Sequence, residues 1–355
     1  MIPQSGFISL VVLVQSVLLV LIVFLPKISS SHPVSQIIMV NNNTPETTTT
    51  TASSEEWDAI IIGSGLAGLS AALTILDAGG RVLIVEKEAS LGGNSMKASS
   101  GINSVMDPTN PDDAQAFRHD TLASAGADAD DTPTTTSSDV ALIETLVNRS
   151  HESVLTWLRS RLEVDLSQVA QLGGHSHPRT HRPGGKLPVG AEIMIKLQAA
   201  VKAFETQGSV MIRTSSRANK LLQDDKDGRV IGVVFVSTTT AAAEEEQPPP
   251  QPVTVHAPNV VLATGGFAAD RSGDSWLAKV RPELLTLGAT AGAFSTGDGL
   301  TMATSLQANL VGMEHIQVHP TGFVDPKDPD NPSKFLAAEV LRGVGGILLT
   351  PQGTR

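Results

Sequence analysis

The pattern of apolar and polar positions changes several times along the chain, and each change marks an element. Residues 58–62 and 81–85 are short runs, apolar after a charged first residue, of the kind that buried parallel strands show. Between them, residues 66–78 carry apolar side chains at helical spacing, and Gly79 and Gly80 stop the pattern. Helical spacing returns over 114–125 and 140–158, with Asp139 placed as an N-cap and 126–138 as a polar loop. Residues 209–213, 230–237 and 259–263 are β-branched runs that predict strands of a small antiparallel insertion, with Asp227-Gly228 as a hairpin turn. A last helix is expected over 300–308, and 346–355 reads as a hairpin.

Other stretches lack a period. The segment GGHSHPRTHRPGGKLPVGAE interleaves His175, His177, Arg179, His181 and Arg182 with glycine and proline, which predicts a rigid loop and no regular element. Residues 41–56 have too little apolar surface to pack and read as a solvated tether, and 238–252 is a low-complexity hairpin tip without chemistry. At the other extreme, 7–25 is almost wholly apolar, interrupted by Gln15 and Ser16, and is just long enough to span a bilayer. Two readings stay open for it: a cleaved signal peptide, with Ser29 and Ser31 before the cut, or an uncleaved signal anchor. Either directs the protein to the secretory pathway or endoplasmic reticulum, with membrane attachment through 7–25 in the second case. A mitochondrial address is the alternative. The expected organisation is a signal segment at 1–31, a linker at 32–56, a main domain at 57–314 and the beginning of a second at 315–355.

Composition narrows the chemistry. A chain of 355 residues with 41% apolar and 17% charged residues buries a substantial core. A net charge of −11 supplies no basic surface for nucleic acid. The absence of cysteine excludes disulfides, thiolate metal sites, iron–sulfur ligation and a cysteine nucleophile. The histidine-rich loop holds no carboxylate at ligand spacing, and His315 lies four residues before His319 in a strand-like stretch ending at Pro320. No metal site is therefore expected.

The glycines between the first strand and helix carry the strongest local signal. Gly63, Gly65 and Gly68 stand at GxGxxG spacing: the first permits the tight turn, the second lets backbone approach a pyrophosphate, and the third lets the helix lie on the sheet. The helix aims its N-terminal amides at the phosphates, and Glu86, about 20 residues on, is placed to accept ribose hydroxyl hydrogen bonds. Ala263-Thr264-Gly265-Gly266 and Ser295-Thr296-Gly297-Asp298-Gly299 are further points of close backbone approach, the second opening a helix. The expected fold is α/β, a Rossmann-like domain with an antiparallel insertion.

Taken in order, GSGLAGLSAA, EKEASLGGNSMKASSGIN, GGHSHPRTHRP, ATGGF, STGDGL, QVHPTGF and AAEVLRGVGGILL resemble the soluble, yeast-like fumarate reductase flavoproteins, relatives of the succinate dehydrogenase flavoprotein subunit. The resemblance covers 57–355. It implies FAD, with Gly63, Gly65, Gly68 and Glu86 on its pyrophosphate and adenosine ribose. It further implies that Gly92, Gly93, Asn94, Ser95, Ser100 and Gly101 lie along pyrophosphate and isoalloxazine, with Thr264, Gly265 and Asp298 near the flavin. Asn94 stands about where membrane-complex relatives carry a flavin-linking histidine, which implies non-covalent FAD, and the cations of the histidine-rich loop are expected near a flavin or an anion. The implied reaction is hydride transfer from reduced flavin N5 to fumarate, giving succinate, an oxidoreduction at a CH–CH group. His319 is implied to grip a substrate carboxylate, Glu339 and Arg342 to deliver a proton, and Ala338 stands where many relatives carry threonine. The general-acid arginine of the family lies beyond the position of Arg355, so the resemblance also implies a truncated capping domain, impaired activity and exposed apolar surface where the cap would close. Two alternatives stand beside this reading: another flavin oxidoreductase of the same superfamily, such as one acting on ketosteroids, and a non-catalytic flavoprotein fragment. The electron donor is open between a reduced flavin and a protein partner.

Overall fold

The computed structural model describes residues 56–124, 137–238, 251–319, 321–339, 341 and 345–355. The apolar segment 7–25, the tether, most of the 126–138 loop, most of the low-complexity tip and Arg342 lie outside the described residues.

In chain order, β1 (Ala59–Ile62), α1 (Leu66–Asp77) and β2 (Val82–Val85) form the first βαβ unit. A 3-10 turn at Gly93–Lys97 and the short β3 (Ile102–Asn103) lead to α2 (Pro111–Ser124) and α3 (Ser137–Ser150). The latter runs through a π-helical stretch, His151–Leu158, into α4 (Arg159–Leu162). Then come β4 (Gln168–Ala170), β5 (Thr180–Arg182), α5 (Val189–Lys202), β6 (Val210–Arg213), β7 (Ser216–Gln223), β8 (Val230–Ser237), β9 (Val253–His256) and β10 (Val260–Leu262). The helices α6 (Trp276–Val280) and α7 (Asp298–Ser305) and the strands β11 (Gly322–Phe323) and β12 (Phe335–Leu336) complete the described elements.

The centre is a four-stranded parallel sheet in the order β10-β1-β2-β6. Its strands are apolar on both faces because both faces are covered. Ala59, Ile61, Val82 and Ile84 face a helical layer with Leu69, Leu73 and Leu76 of α1 and Ile193, Met194 and Leu197 of α5. Ile60, Ile62, Leu83 and Val85 face the meander β7-β8-β9, meeting Ala218, Leu221, Val233 and Phe235. Strand alternation thus sends neighbouring residues into two different cores, giving three layers.

Four expectations change here. Of the three runs assigned to an antiparallel insertion, only 230–237 belongs to one. Residues 209–213 and 259–263 become β6 and β10 of the parallel sheet, paired with β2 and β1. Their continuous apolar character fits a strand covered on both faces, which is what the central sheet requires. The insertion takes β7 and β9 as its other members, and its first hairpin turns at 224–229 with Gly228 at φ 72°. The histidine-rich loop contains β5, the middle strand of a third sheet, β3-β5-β4. Thr180 and His181 are buried there, so tertiary pairing overrides the glycine and proline around them. The helix expected from 140 begins at Ser137, which puts Asp139 inside it. Residues 346–355 form no paired strands among the described residues. They turn at Thr350, whose carbonyl accepts from the Gly353 N–H and whose N–H donates to the Thr354 carbonyl.

The β11–β12 ribbon is tied to the body through Ala289, whose N–H donates to the Pro332 carbonyl at 2.7 Å and whose carbonyl accepts from Lys334 N–H at 2.8 Å. Phe323, Phe335, Ile347 and Leu348 expose most of their surface, an apolar face on this part of the molecule.

Candidate cofactor and active site

The loops after β1, β2 and β10 all leave the carboxyl ends of parallel strands, where open α/β sheets bind ligands. Each glycine of the first loop has a separate structural reason. Gly63 turns at φ 100°, and a Cβ on it would stand 2.4 Å from the Ala263 carbonyl oxygen. A Cβ on Gly68 would stand 1.9 Å from the Gly63 carbonyl oxygen, so α1 packs on the turn only with glycine there. A Cβ on Gly65 would meet nothing closer than Ser95 Oγ at 3.5 Å, so one side of this residue is open. Gly65 is also the N-cap of α1, which has no acidic residue in its first turn, so nothing there opposes an anion.

Glu86, 8% exposed, follows β2 directly. Its Oε2 accepts from the Ser64 N–H at 2.9 Å and the Ser64 hydroxyl at 2.6 Å, and its Oε1 accepts from the Glu88 N–H at 2.8 Å. A carboxylate has about four lone-pair positions, so capacity remains for ribose hydroxyls.

The second glycine segment folds over the first. Gly92 at φ 120° and Gly93 at φ 51° open the 3-10 turn, and Gly92 N–H donates to the Ser64 carbonyl at 3.1 Å. Ser95 Oγ accepts from the Leu66 N–H at 3.1 Å, which anchors this segment to the start of α1. Asn94 bridges to a segment some 200 residues on. Its Nδ2 donates to Ser295 Oγ and its Oδ1 accepts from the Gly292 N–H, both at 2.8 Å. Ser100 is half-buried before Gly101, where φ is 148° and a Cβ would stand 2.4 Å from Thr180 Cγ2.

Thr264 packs on the start of α7: a Cβ on Gly299 would stand 2.1 Å from its Oγ1. Gly265 turns at φ 73° with nothing within 4 Å of the Cβ position. Asp298 is tied to the residue that follows Glu86. Lys87, the residue after Glu86, donates to its Oδ2 at 2.9 Å, and Arg217 donates to its Oδ1 at 2.8 Å. Burial pushes the Asp298 carboxyl up, and the bonds from Lys87, Arg217 and Thr296 outweigh it, holding the group below the usual carboxylate range.

The histidine-rich segment does not send its cations to one place. Arg179 is fully buried, with Nη1 3.4 Å from Asp113 Oδ1, Nη2 3.3 Å from Asp120 Oδ2, and its guanidinium 4.8 Å from the Phe117 ring centroid. The expectation that it serves a flavin or anion is corrected: its charge is matched by carboxylates of α2. His181 is buried, and among the described residues neither ring nitrogen makes a well-formed hydrogen bond. Burial and then Arg159 push it below its ordinary pKa, so it is neutral at pH 7. Among the described residues, no group of histidine and carboxylate side chains could hold a metal ion.

His319 and Glu339 are brought to one end of the β11–β12 ribbon. Gly322 pairs with Leu336, and the Thr321 hydroxyl donates to the Ala337 carbonyl at 3.0 Å, so the two residues flank the next positions outward. His319 Nδ1 lies 2.8 Å from the Thr321 carbonyl oxygen. Glu339 Oε1 reaches back to the turn at Gly173, where a Cβ would stand 3.2 Å from it. The sequence reading missed Ser64, Lys87 and Gly173 as partners of the site residues. Ser64 and Lys87 adjoin residues it singled out, whereas Gly173 carries no local signal for a contact with Glu339.

The family of the FAD binding domain matches residues 58–355. The chain is 41% identical over 305 residues to the fumarate reductase of Schizosaccharomyces pombe, covering 84% of this chain and 55% of that protein. It is 38% identical over 300 residues to fumarate reductase 1 of Saccharomyces cerevisiae, covering 82% and 58%. The structure of the open conformation of a flavocytochrome c3 fumarate reductase superposes with a TM-score of 0.66 at 30% identity, over 85% of this chain and 48% of that one. The chain therefore spans about half the length of these relatives. Among the described residues no helix is long and apolar enough to cross a membrane. The open side of Gly65, the acid-free start of α1 and the spare acceptor capacity of Glu86 fit a bound dinucleotide, and by the family match the chain belongs to the FAD binding domain family, with FAD as its cofactor.

Proposed function

We propose that this chain is the flavin-holding part of a fumarate reductase, acting on fumarate to give succinate. When bound, FAD supplies the two electrons as a hydride to one olefinic carbon, and the other carbon takes a proton. The protein must clamp the two carboxylates and stabilise the charge that develops between these events. His319 suits the first task. Its Nδ1 lies 2.8 Å from the Thr321 carbonyl oxygen and 3.3 Å from the Thr321 nitrogen, contacts that hold the ring and leave Nε2 for the substrate. Glu339 suits proton delivery, at the same end of the ribbon and against the body of the domain. The observation that carries the proposal is this joining of His319 and Glu339 by the β11–β12 ribbon.

The cofactor is proposed to be non-covalent, because Asn94 spends its amide on Ser295 and Gly292 and has no nucleophilic atom for a flavin link. Acid precipitation tests this: the flavin should remain in the supernatant, and yellow protein in the pellet would oppose it. Delivery to the secretory pathway, with attachment through residues 7–25, is the proposed location. A fluorescent fusion found elsewhere in the cell, or released from membranes by alkaline carbonate, would remove one or both parts.

The activity test is anaerobic. The FAD-loaded protein is reduced, fumarate is added, and return of the visible flavin band is followed. Reoxidation by fumarate with succinate formed supports the proposal, and reoxidation only by other olefins, such as a 3-ketosteroid, would replace it. No reoxidation by any of them refutes a reductase role for this chain.

A further inference from the structure

Gly173 and His175 lie between β4 and β5, in a turn built on Asp120 of α2. Asp120 Oδ2 accepts from the Ser176 N–H at 2.8 Å, the Ser176 hydroxyl at 2.9 Å and Arg179 at 3.3 Å. This fixes the neighbouring His175, whose side chain is 14% exposed and whose ring meets Phe117 edge-on, with centroids 6.0 Å apart. His175 Nδ1 is 3.9 Å from Asp120 Oδ2, too far for a hydrogen bond, and is buried without a partner among the described residues. The imidazole is held in place, yet its Nδ1 is not used by what holds it.

Gly173, two residues earlier, does not adopt a left-handed conformation, so backbone freedom is not the reason for glycine there. A Cβ there would stand 3.2 Å from Glu339 Oε1, a tight approach from which the carboxylate would have to give way slightly. The charged groups that face His175 are Asp120 from α2, Arg179 from the approach to β5, and Glu339 from the segment after β12. His119 lies on the exposed side of Asp120, and His177 is bonded to the Ser176 hydroxyl. Burial and then Arg179 hold His175 below its ordinary pKa, outweighing Asp120 and Glu339, which draw it toward the imidazolium.

We propose that this turn is the seat of the Glu339 carboxylate, Gly173 leaving the space for it and His175, backed by Asp120, acting as the positioning residue that holds its charge and direction. The proposal rests on the reading of Glu339 as the proton-delivering group in fumarate reduction.

Two measurements on the FAD-loaded protein separate the two ideas. In the first, the His175 resonance is titrated by NMR, identified by its loss in His175→Gln, or in His175→Asn should the first variant not fold. Its midpoint should move to lower pH by several tenths of a unit in Glu339→Gln, and in the same direction in Gly173→Ala, where the carboxylate is displaced. An unchanged midpoint in both variants overturns the seat whatever the enzyme does. In the second, His175→Gln should lower kcat for fumarate about tenfold and alter its pH profile, with KM little changed. A shifted midpoint in a protein that does not reduce fumarate keeps the seat and removes the functional reading. A fumarate-reducing protein whose His175→Gln variant has wild-type kcat and pH profile removes His175 as a positioning residue.

Discussion

Glu86→Gln tests whether one carboxylate both holds the glycine turn together and binds the cofactor. The side chain keeps its volume and loses one acceptor oxygen and the charge. Glu86 now satisfies three donors, two from Ser64 on Oε2 and the Glu88 N–H on Oε1. A carboxamide has a single carbonyl oxygen, so one side of this set must face an NH2 group. The least costly arrangement leaves the oxygen on the Ser64 pair and sets donor against donor at Glu88. Hydrogen bonds to a charged group contribute about 1.5–3 kcal/mol each, and the two retained at Ser64 are weakened to neutral strength. The free protein should therefore lose about 2 kcal/mol of stability, and Glu86→Ala about 3–4 kcal/mol. Ribose hydroxyls then meet a neutral acceptor, or none, and FAD affinity should fall about tenfold, equivalent to about 1.4 kcal/mol.

The assay is urea unfolding of FAD-free protein followed by tryptophan fluorescence, with Trp57, 6% exposed beside the first strand, as an internal reporter. Affinity is read separately from quenching of FAD fluorescence. Ser64→Ala is the companion variant, since it removes only the hydroxyl donor. A Glu86→Gln protein with wild-type stability refutes the packing argument, and one destabilised but with unchanged FAD affinity refutes the ribose assignment.

Four further outcomes follow from the same geometry. Gly68→Ala forces α1 off the turn and should cost about 2–3 kcal/mol with loss of FAD binding; retention of both at wild-type level in a thermal melt with and without FAD would contradict the contact at 1.9 Å. Asp298→Asn should narrow the stability gap to wild type as pH falls: a carboxyl depressed in the folded state stabilises above its unfolded pKa, about 4, and loses that contribution as pH drops through its folded value. Urea midpoints from pH 6 to pH 3 measure this, and a gap independent of pH would count against the Lys87 and Arg217 bonds. Arg179→Met strands Asp113 and Asp120 and should destabilise by about 3–5 kcal/mol in calorimetry, whereas a loss confined to activity would return Arg179 to the ligand. Asn94→Ala breaks two bonds on the surface, costs about 1 kcal/mol by urea unfolding, and should accelerate FAD release measured by stopped-flow; an unchanged release rate would mean that the bridge does not retain the cofactor.

What the sequence makes legible and what it hides divide along a physical line. The glycine positions are readable because each answers a local demand, a positive φ at Gly63 or a close approach at Gly68, within a few residues of the strand and helix it joins. Glu86 is readable for the same reason, at the end of an apolar strand. The partner of a charge is a different matter. Lys87 and Asp298 are 211 residues apart, and Asn94 and Ser295 are 201 apart, so no period or spacing in the chain connects them. Arg179 shows the same limit from the other side. Read locally it is a cation in a polar loop, and only the packing of α2 against that loop reveals two carboxylates that take up its charge.

The assignment of strands to sheets fails for a related reason. A β-branched run states that a strand is covered on both faces but not by what, and helices or a second sheet satisfy it equally. Ile60 and Ile61 are neighbours of one type, yet one packs on the meander and the other on the helices. For β6 and β10 the missing information is which edge of the β1–β2 pair each joins, and that is fixed by the crossover connections. The meander strand β7 was hidden by the opposite feature: SRANKLLQ carries polar residues on its open face and breaks register near Lys220, so neither a continuous apolar run nor a strict alternation marks it. Arg217, the residue of that strand that reaches Asp298, is therefore the natural place to ask whether the meander is more than a cover. It ties the layer least visible in the sequence to the start of α7, one residue beyond the Gly297 turn, where Asp298 also accepts from Lys87, the neighbour of Glu86. Loss of that tie in Arg217→Ala should loosen α7 and weaken FAD binding from the far side of the sheet, while leaving the helical core of α1 and α5 intact. Hydrogen exchange would show this as faster exchange confined to α7 and the meander, and equal protection throughout would mean that the two layers share no load.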